Sequence, residues 1–254
     1  MRVLYKTPLK DNRFKNLSVA TLKKIIPKNS IVKSYGLFAG KTEILLALDQ
    51  RIINAHTDKD IILHFWYCLF EDGSRMYDIL TDDIFNVGSE LEFNILQEDL
   101  PSYKDAFYYS SVFFFLNRCS ETGQISCGKY NPAGFTQYAL EYLKFFRKPE
   151  LFNVFVQQET PAPGPEADFL LYPNLCYDYN LFDYGKSHSY DTYFVNHKKL
   201  REALRKSDKK IILVYNFHPE VLSFYEKYNI QLVDRFGRPC SNSENYEEAV
   251  VTNF

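Results

Sequence analysis

The chain reads as an α/β protein, a Rossmann-like sheet interrupted by a helical insertion. Three observations carry that reading. Short apolar runs rich in β-branched residues alternate with amphipathic segments near both ends of the sequence. A strand–turn–helix–strand unit stands close to the amino terminus. Between residues 71 and 165 the rhythm changes to longer helical segments, so the division expected is a core of residues 1–70 and 166–254 around a helical insertion of residues 71–165.

Residues 17–26 spell an amphipathic helix. Apolar side chains fall at Val19, Leu22, Ile25 and Ile26, Ser18 stands where an N-cap belongs, and Lys23-Lys24 come late, where cations suit the helix dipole. Pro27-Lys28-Asn29 ends it. A strand follows over residues 31–35 and enters the turn Gly36-Leu37-Phe38-Ala39-Gly40-Lys41-Thr42, after which residues 43–48 are helical. Residues 51–54 form a second short strand, and a helix runs from about residue 59 to 69. In the helical region one loop, residues 119–135, is rich in Ser, Gly, Asn and Pro. Pro161, Pro163 and Pro165 mark residues 158–166 as a surface connection. The α/β rhythm then returns: a strand at 169–172, a helix at 197–206, a strand at 211–215, a helix at 220–227, a strand at 230–234 and a last strand at 249–252. No internal repeat is visible.

Composition narrows the function classes. The 254 residues carry a formal net charge of -2, so there is no global basic field, and any nucleic-acid contact rests on a local patch. Aromatic residues make up 17%, with 22 Phe and 20 Tyr, which reads first as an aromatic core and second as a supply of stacking surfaces. The five cysteines, Cys68, Cys119, Cys127, Cys176 and Cys240, are widely spaced without a Cys-x-x-Cys pair, which argues against a disulfide framework and a structural zinc. No metal site is expected. The amino-terminal Met1-Arg2-Val3-Leu4-Tyr5-Lys6 lacks the pattern of a signal peptide, and residues 111–116 are too short an apolar run to span a membrane, so a cytoplasmic protein without a membrane partner is expected.

The stretch from Ala167 to Tyr177 is the most informative. A buried strand runs out into Asn174-Leu175-Cys176-Tyr177 at its carboxyl end, where open α/β sheets place ligands. An amide followed three residues later by an aromatic ring can hold a flipped base: the amide oxygen accepts from an exocyclic amine and the ring stacks on the base. Asn174 equally reads as a turn residue after a strand. Arg118, at the end of the apolar run 113–116, reads either as the partner of a buried carboxylate or as a phosphate contact. Lys198-Lys199, Arg201, Arg205-Lys206 and Lys209-Lys210 form a basic face on one helix and its exit, the usual signature of a solvated face. His218-Pro219 reads as a turn into the next helix.

These strings, in this order, resemble the Dam-type DNA adenine-N6 methyltransferases. Pro8-Leu9-Lys10 through Lys15 is similar to that family's amino-terminal Pro-Leu-Arg-Tyr-Pro-Gly-Gly-Lys, and Leu37-Phe38-Ala39-Gly40 to its Pro-Phe-x-Gly-x-Gly turn. Ile53-Asn54-Ala55-His56-Thr57 falls where Asn-Asp-x-Asn is usual. Phe114-Phe115-Leu116-Asn117-Arg118-Cys119-Ser120 resembles the Asn-Arg-Thr/Cys-Ser string of the recognition region, and Ser126-Cys127-Gly128 a Ser-Gly-Gly. Asn174 to Tyr177 takes the place of Asp-Pro-Pro-Tyr, and residues 212–216 and 248–253 match the late strands. The resemblance implies a Rossmann-like methyltransferase core sheet with an inserted helical target-recognition module. It implies catalytic roles for Asn174 and Tyr177, cofactor contacts at Lys15, Phe38, Gly40 and Asn54, and DNA contacts at Asn117, Arg118, Ser120 and Lys129.

The departures lie at the chemistry. Arg13-Phe14 replace the Gly-Gly before the lysine, Thr42 replaces the second glycine of the turn, and Gly36 stands where an acid precedes it. Ala55 takes the place of the acid that holds the cofactor ribose, and Leu175-Cys176 replace the two prolines. With these elements altered together, the expectation is a non-catalytic homologue that binds no S-adenosylmethionine or binds it weakly. It would act as a DNA-binding or partner subunit beside an active methyltransferase in a DNA-modification complex. The alternative is a divergent, active S-adenosylmethionine-dependent adenine-N6 DNA methyltransferase using Asn174 and Tyr177.

Overall fold

The computed structural model describes residues 6–82, 89–125, 129–156, 167–177, 180–181, 192–193 and 196–254. The prolines of residues 158–166 and the string Ser126-Cys127-Gly128 lie outside the described residues. The described elements are α1 (Val19–Ile25), β1 (Ile31–Tyr35), α2 (Lys41–Ala47), β2 (Ile52–Thr57), α3 (Asp60–Thr81), α4 (Glu90–Asp99), α5 (Ala106–Cys119), α6 (Gln137–Phe145), β3 (Phe152–Val156), β4 (Phe169–Leu175), β5 (Asn180–Leu181), β6 (Thr192–Tyr193), α7 (His197–Lys206), β7 (Lys210–Asn216), α8 (Pro219–Phe224), β8 (Asn229–Val233) and β9 (Glu248–Thr252).

The protein is α/β with a mostly parallel sheet. Seven strands run in the order β3-β2-β1-β4-β7-β9-β8, and β5 pairs with β6 separately. β9 is antiparallel to both of its neighbours, whereas β1 is parallel to β2 and β4, β2 to β3, and β4 to β7. The chain divides into two compact units: Met1–Arg13, Lys59–Lys148 and Leu181–Thr192, and Phe14–Asp58, Pro149–Asn180 and Tyr193–Phe254. The first contains α3 to α6, the second the seven-stranded sheet. The helical segment is thus bounded at residues 58/59 and 148/149, where the sequence suggests 70/71 and 165/166, and Met1–Arg13 and Leu181–Thr192, expected with the core, go with the helices. All of α3 goes with the helices and β3 with the sheet. No helix among the described residues is long and apolar enough to cross a membrane.

In the helical unit, α5 is buried on every side. Phe113, Phe114 and Phe115, three consecutive residues, are each fully buried, so the helix has no solvated face at that turn, and the aromatic surplus is spent on packing. Phe65 on α3 packs edge-on against Phe113 and parallel to Phe114. α3 extends to Thr81 with a break at Asp72, whose backbone leaves the helical region. The Asp72 carboxylate accepts from the amides of Ser74 and Arg75, restarting the helix as an internal N-cap. Gly73 is required there: a Cβ would stand 2.2 Å from the carbonyl oxygen of Leu143 on α6.

In the sheet unit the central strands β7 and β9 are almost wholly buried. Ile211, Leu213 and Tyr215 of β7 and Ala249 and Val251 of β9 form one core with Leu175, Leu204, Val221 and Tyr225. α1 ends where the buried Arg51 donates to the carbonyls of Lys23 and Ile26, a cation on the negative end of the helix. Ser18 stands at the N-cap position of α1 but does not cap it through its side chain. Its hydroxyl donates instead to Glu248 of β9 (2.6 Å), whose carboxylate also accepts from the amides of Leu17 and Ser18. This buried carboxylate ties the segment before α1 to the sheet.

Candidate functional site at the carboxyl end of β4

The strand order reverses at β1, which has β2 on one side and β4 on the other. In a doubly wound sheet ligands bind outside the carboxyl ends of the strands at such a switch point. Two segments of the chain reach it: the turn of residues 36–40 after β1, and the end of β4 with residues 176–177.

β4 runs to Leu175, three residues beyond the strand the sequence suggests. The register against β7 shifts between Tyr172 and Leu175, so Pro173 and Asn174 sit in an irregularity of the ladder. That is where a residue without an N–H can be accommodated within a sheet, and the irregularity re-aims the next side chain. Asn174 Oδ1 then accepts from Asn16 Nδ2 at 2.8 Å. The Asn174 amide oxygen thus already receives an N–H from the protein's own chain.

Tyr177 is also engaged. Its ring stacks with two imidazoles, His197 at 4.7 Å and 21° and His218 at 5.0 Å and 13°. His197 Nε2 donates to the carbonyl of Tyr177 (2.8 Å), which leaves Nδ1 to accept from the Tyr215 hydroxyl (3.0 Å). The Tyr215 hydroxyl accepts in turn from Tyr225 (2.9 Å). One neutral imidazole satisfies this whole chain. Burial favours the neutral form of each member: it lowers the pKa of His197, raises that of Tyr215 and pushes Tyr225 up to about 12. His218 is fixed as the N-cap of α8, its Nδ1 accepting from the Glu220 amide at 3.2 Å, with Pro219 at the first helical position.

The four residues aligned with cofactor contacts are placed as follows. Phe38 is buried, and Gly40 is the N-cap of α2 with a φ of 64°, a left-handed conformation that glycine adopts without strain. Lys15 is ion-paired with Glu247, and its carbonyl accepts from Lys41 at 2.8 Å. Asn54 lies in the middle of β2, its side-chain oxygen accepting from Asn153 of β3 at 3.3 Å. Ala55 is fully buried. The end of β2 holds the ring of His56 in a row with Tyr172, Tyr35 and Phe155 on the adjoining strands. Successive centroids along the row are 5.0, 5.5 and 5.5 Å apart. Lys15 is held in an exposed ion pair with Glu247, Asn54 stands short of the strand end, and the buried Ala55, with the stacked His56 beside it, offers no carboxylate where the resemblance puts the ribose-binding acid. The first carboxylate beyond the strand, Asp58, is exposed.

The first turn of α2 carries Glu43, a fully buried carboxyl group. Ser34 Oγ donates to one oxygen at 3.0 Å, and the other has no hydrogen-bond partner among the described residues. Burial raises its pKa, which favours the protonated form.

In the helical unit the four residues aligned with DNA contacts cluster at the end of α5 and in the loop after it, and they face in different directions. Asn117 is fully buried: its oxygen accepts from the Lys10 amide (2.8 Å) and its amide donates to the carbonyls of Lys10 (2.9 Å) and Gly123 (2.7 Å). Ser120 is buried as well. Arg118 is half-buried and donates to the carbonyl of Gly134 at 2.8 Å. Asn117 and Arg118 hold loops together, and Lys129 is the member of the set with an exposed side chain.

The sequence points to Asn174 and Tyr177 but to none of their partners Asn16, His197 and His218, which are remote in the chain. The His218-Pro219 pair signals its helix start and gives no sign of its stacking. Among the described residues no group of three or more His, Cys, Asp or Glu side chains is placed to hold a metal ion. No protein-family model matches the chain. No curated protein matches it either.

Proposed function

We propose that the protein is a non-catalytic homologue of the Dam-type adenine methyltransferases that serves as a DNA-binding or partner subunit in a DNA-modification complex. One observation carries this reading: the Asn174–Tyr177 loop is filled from within. The acceptor oxygen receives Asn16, and the ring is already stacked with two imidazoles. Each aromatic stack is worth about 0.5–1.5 kcal/mol and the hydrogen bond about as much. A base entering the loop would have to displace contacts of roughly 2–4 kcal/mol, which weakens binding on the order of a hundredfold. The sheet supports the family likeness. Counting its strands alone, the order is 3-2-1-4-5-7-6 with the seventh antiparallel, a doubly wound arrangement of the kind a methyltransferase core implies. The helical unit then corresponds to the recognition module. A retained shell with an occupied loop can still orient DNA or a partner.

The divergent active enzyme is the second reading, favoured by one observation: Asn174 and Tyr177 stand at the carboxyl end of β4 beside the switch point. A methyl-transfer assay on the isolated chain with labelled S-adenosylmethionine and adenine-containing duplex DNA separates the two. The proposal expects no incorporation by the chain alone and co-purification with an active methyltransferase from the native source. Incorporation by a lone monomer would establish the second reading.

A further inference from the structure

α7 reads His197-Lys198-Lys199-Leu200-Arg201-Glu202-Ala203-Leu204-Arg205-Lys206. It packs on the sheet through Leu204, with Leu200 and Ala203 partly buried beside it. These apolar residues recur at the helical spacing and leave the rest of the surface to charge. Lys198, Arg201 and Arg205 follow one another at i, i+3 and i+7 and so share one face. That face is one wall of a cavity of about 530 Å³, completed by Phe224, Tyr228 and Lys227 from α8 and the turn after it. Arg201 is held in place: its guanidinium carbon stands 4.1 Å from the centre of the Phe224 ring, and its backbone carbonyl accepts from the Tyr228 hydroxyl at 3.2 Å. Among the described residues, Lys198, Arg201 and Lys227 have no carboxylate within ion-pair distance. Of the two carboxylates that line the cavity, Glu202 and Glu226, the first is drawn to Lys206 at 2.5 Å and to Arg205 at 4.0 Å.

We infer that this groove between α7 and α8 binds the phosphodiester backbone of a nucleic acid. The inference rests on the nucleic-acid part of the function proposed above and moves the contact from the end of α5 to the flank of the sheet. In a chain of net charge -2, a wall of three cations facing a fourth across a concave surface is a local concentration of positive charge of the kind a polyanion needs. Lys198 and Arg205 are separated by about 10 Å along the helix axis. At 3.4 Å of rise per phosphate on one strand, that spans about three phosphates. A guanidinium fixed on an aromatic face presents its planar fork already oriented, which suits phosphate oxygens better than a mobile ammonium.

The test is fluorescence anisotropy of the full chain with a labelled DNA duplex, titrated over a range of salt. The variants are Lys198→Ala/Arg205→Ala/Lys227→Ala and, separately, Lys129→Ala, with thermal melting as the control for folding. The three substituted side chains are exposed, so the triple variant is expected to melt like the parent. It should bind at least about tenfold more weakly, with a slope of log affinity against log salt shallower by roughly 2–3. If the triple variant binds like the parent while Lys129→Ala weakens binding, the groove assignment is overturned and the DNA-binding reading stands. If the parent does not bind DNA even at low salt, both fall. If poly-glutamate binds the parent as tightly as DNA and the triple variant loses both, the groove docks an acidic protein segment and the nucleic-acid assignment is overturned.

Discussion

The carboxyl end of β4 and the flank formed by α7 and α8 belong to the same unit, yet they are built in opposite ways. At the strand end the polar groups serve one another. Asn16 meets Asn174, His197 joins the Tyr177 carbonyl to the Tyr215 and Tyr225 hydroxyls, and Glu248 takes up the donors of Leu17 and Ser18. On the flank, cations stand exposed around a concave surface. Groups satisfied inside the protein contribute to folding, and admitting a ligand means breaking those contacts. Charges left in solvent contribute little to folding and can be given to a ligand at small cost. Substitutions at the strand end should therefore register mainly in stability, and substitutions on the flank mainly in binding.

The largest effect is expected at Glu248. Replacing it by Ala leaves the Leu17 amide, the Ser18 amide and the Ser18 hydroxyl without their charged acceptor. The expected loss is roughly 3–5 kcal/mol in urea unfolding; a change under about 1 kcal/mol would show that the segment is held by something else. Tyr215→Phe removes the link between His197 and Tyr225 and should cost about 1–3 kcal/mol, because two buried polar groups lose a partner.

The pH dependence of stability sharpens the comparison further, with opposite signs at two groups. Glu43 has a folded pKa raised above 4.5 by burial, so the native state holds the extra proton, and stability falls as the pH rises above that value. Glu43→Gln should flatten this limb. His197 has a folded pKa lowered below 6.5 by burial, so the unfolded state binds the extra proton, and stability is lost as the pH falls below 6.5. His197→Gln should shrink that limb, as read from melting temperature against pH, with the remainder left by His56, whose pKa burial lowers in the same way. The smallest effect is expected on the flank: Lys198→Ala and Lys227→Ala should each change stability by less than about 0.5 kcal/mol.

Much of the sheet unit was legible because its strands are short apolar runs bounded by Gly, Pro, Asn or charge. β1, α7 and the late strands β7 and β9 fall within a residue of where their patterns put them. β3 was not legible. Phe152-Asn153-Val154-Phe155-Val156 follows a helix closely, and five apolar-rich residues do not by themselves separate a strand from a helix end. The second half of α3 was hidden for a related reason: Asp72-Gly73 reads as an ending, and only the packing of α6 explains a glycine inside a longer helix. At the candidate site the positions of Asn174 and Tyr177 could be read from the strand that carries them. What occupies them could not, since Asn16 is 158 residues from Asn174 in the chain and no local pattern encodes such a contact. The basic face of α7 was visible as a run of charge, but its concavity depends on α8.

The central proposal is that a methyltransferase-like shell holds no cofactor and that its Asn174–Tyr177 loop is closed by the protein's own side chains. Isothermal titration of the isolated chain with S-adenosylmethionine tests it most directly. The account predicts no measurable heat of binding, or a dissociation constant weaker than about 1 mM. A dissociation constant in the micromolar range would contradict it, because Lys15, His56 and the Asn174–Tyr177 loop would then have to exchange their internal partners for the cofactor at little cost.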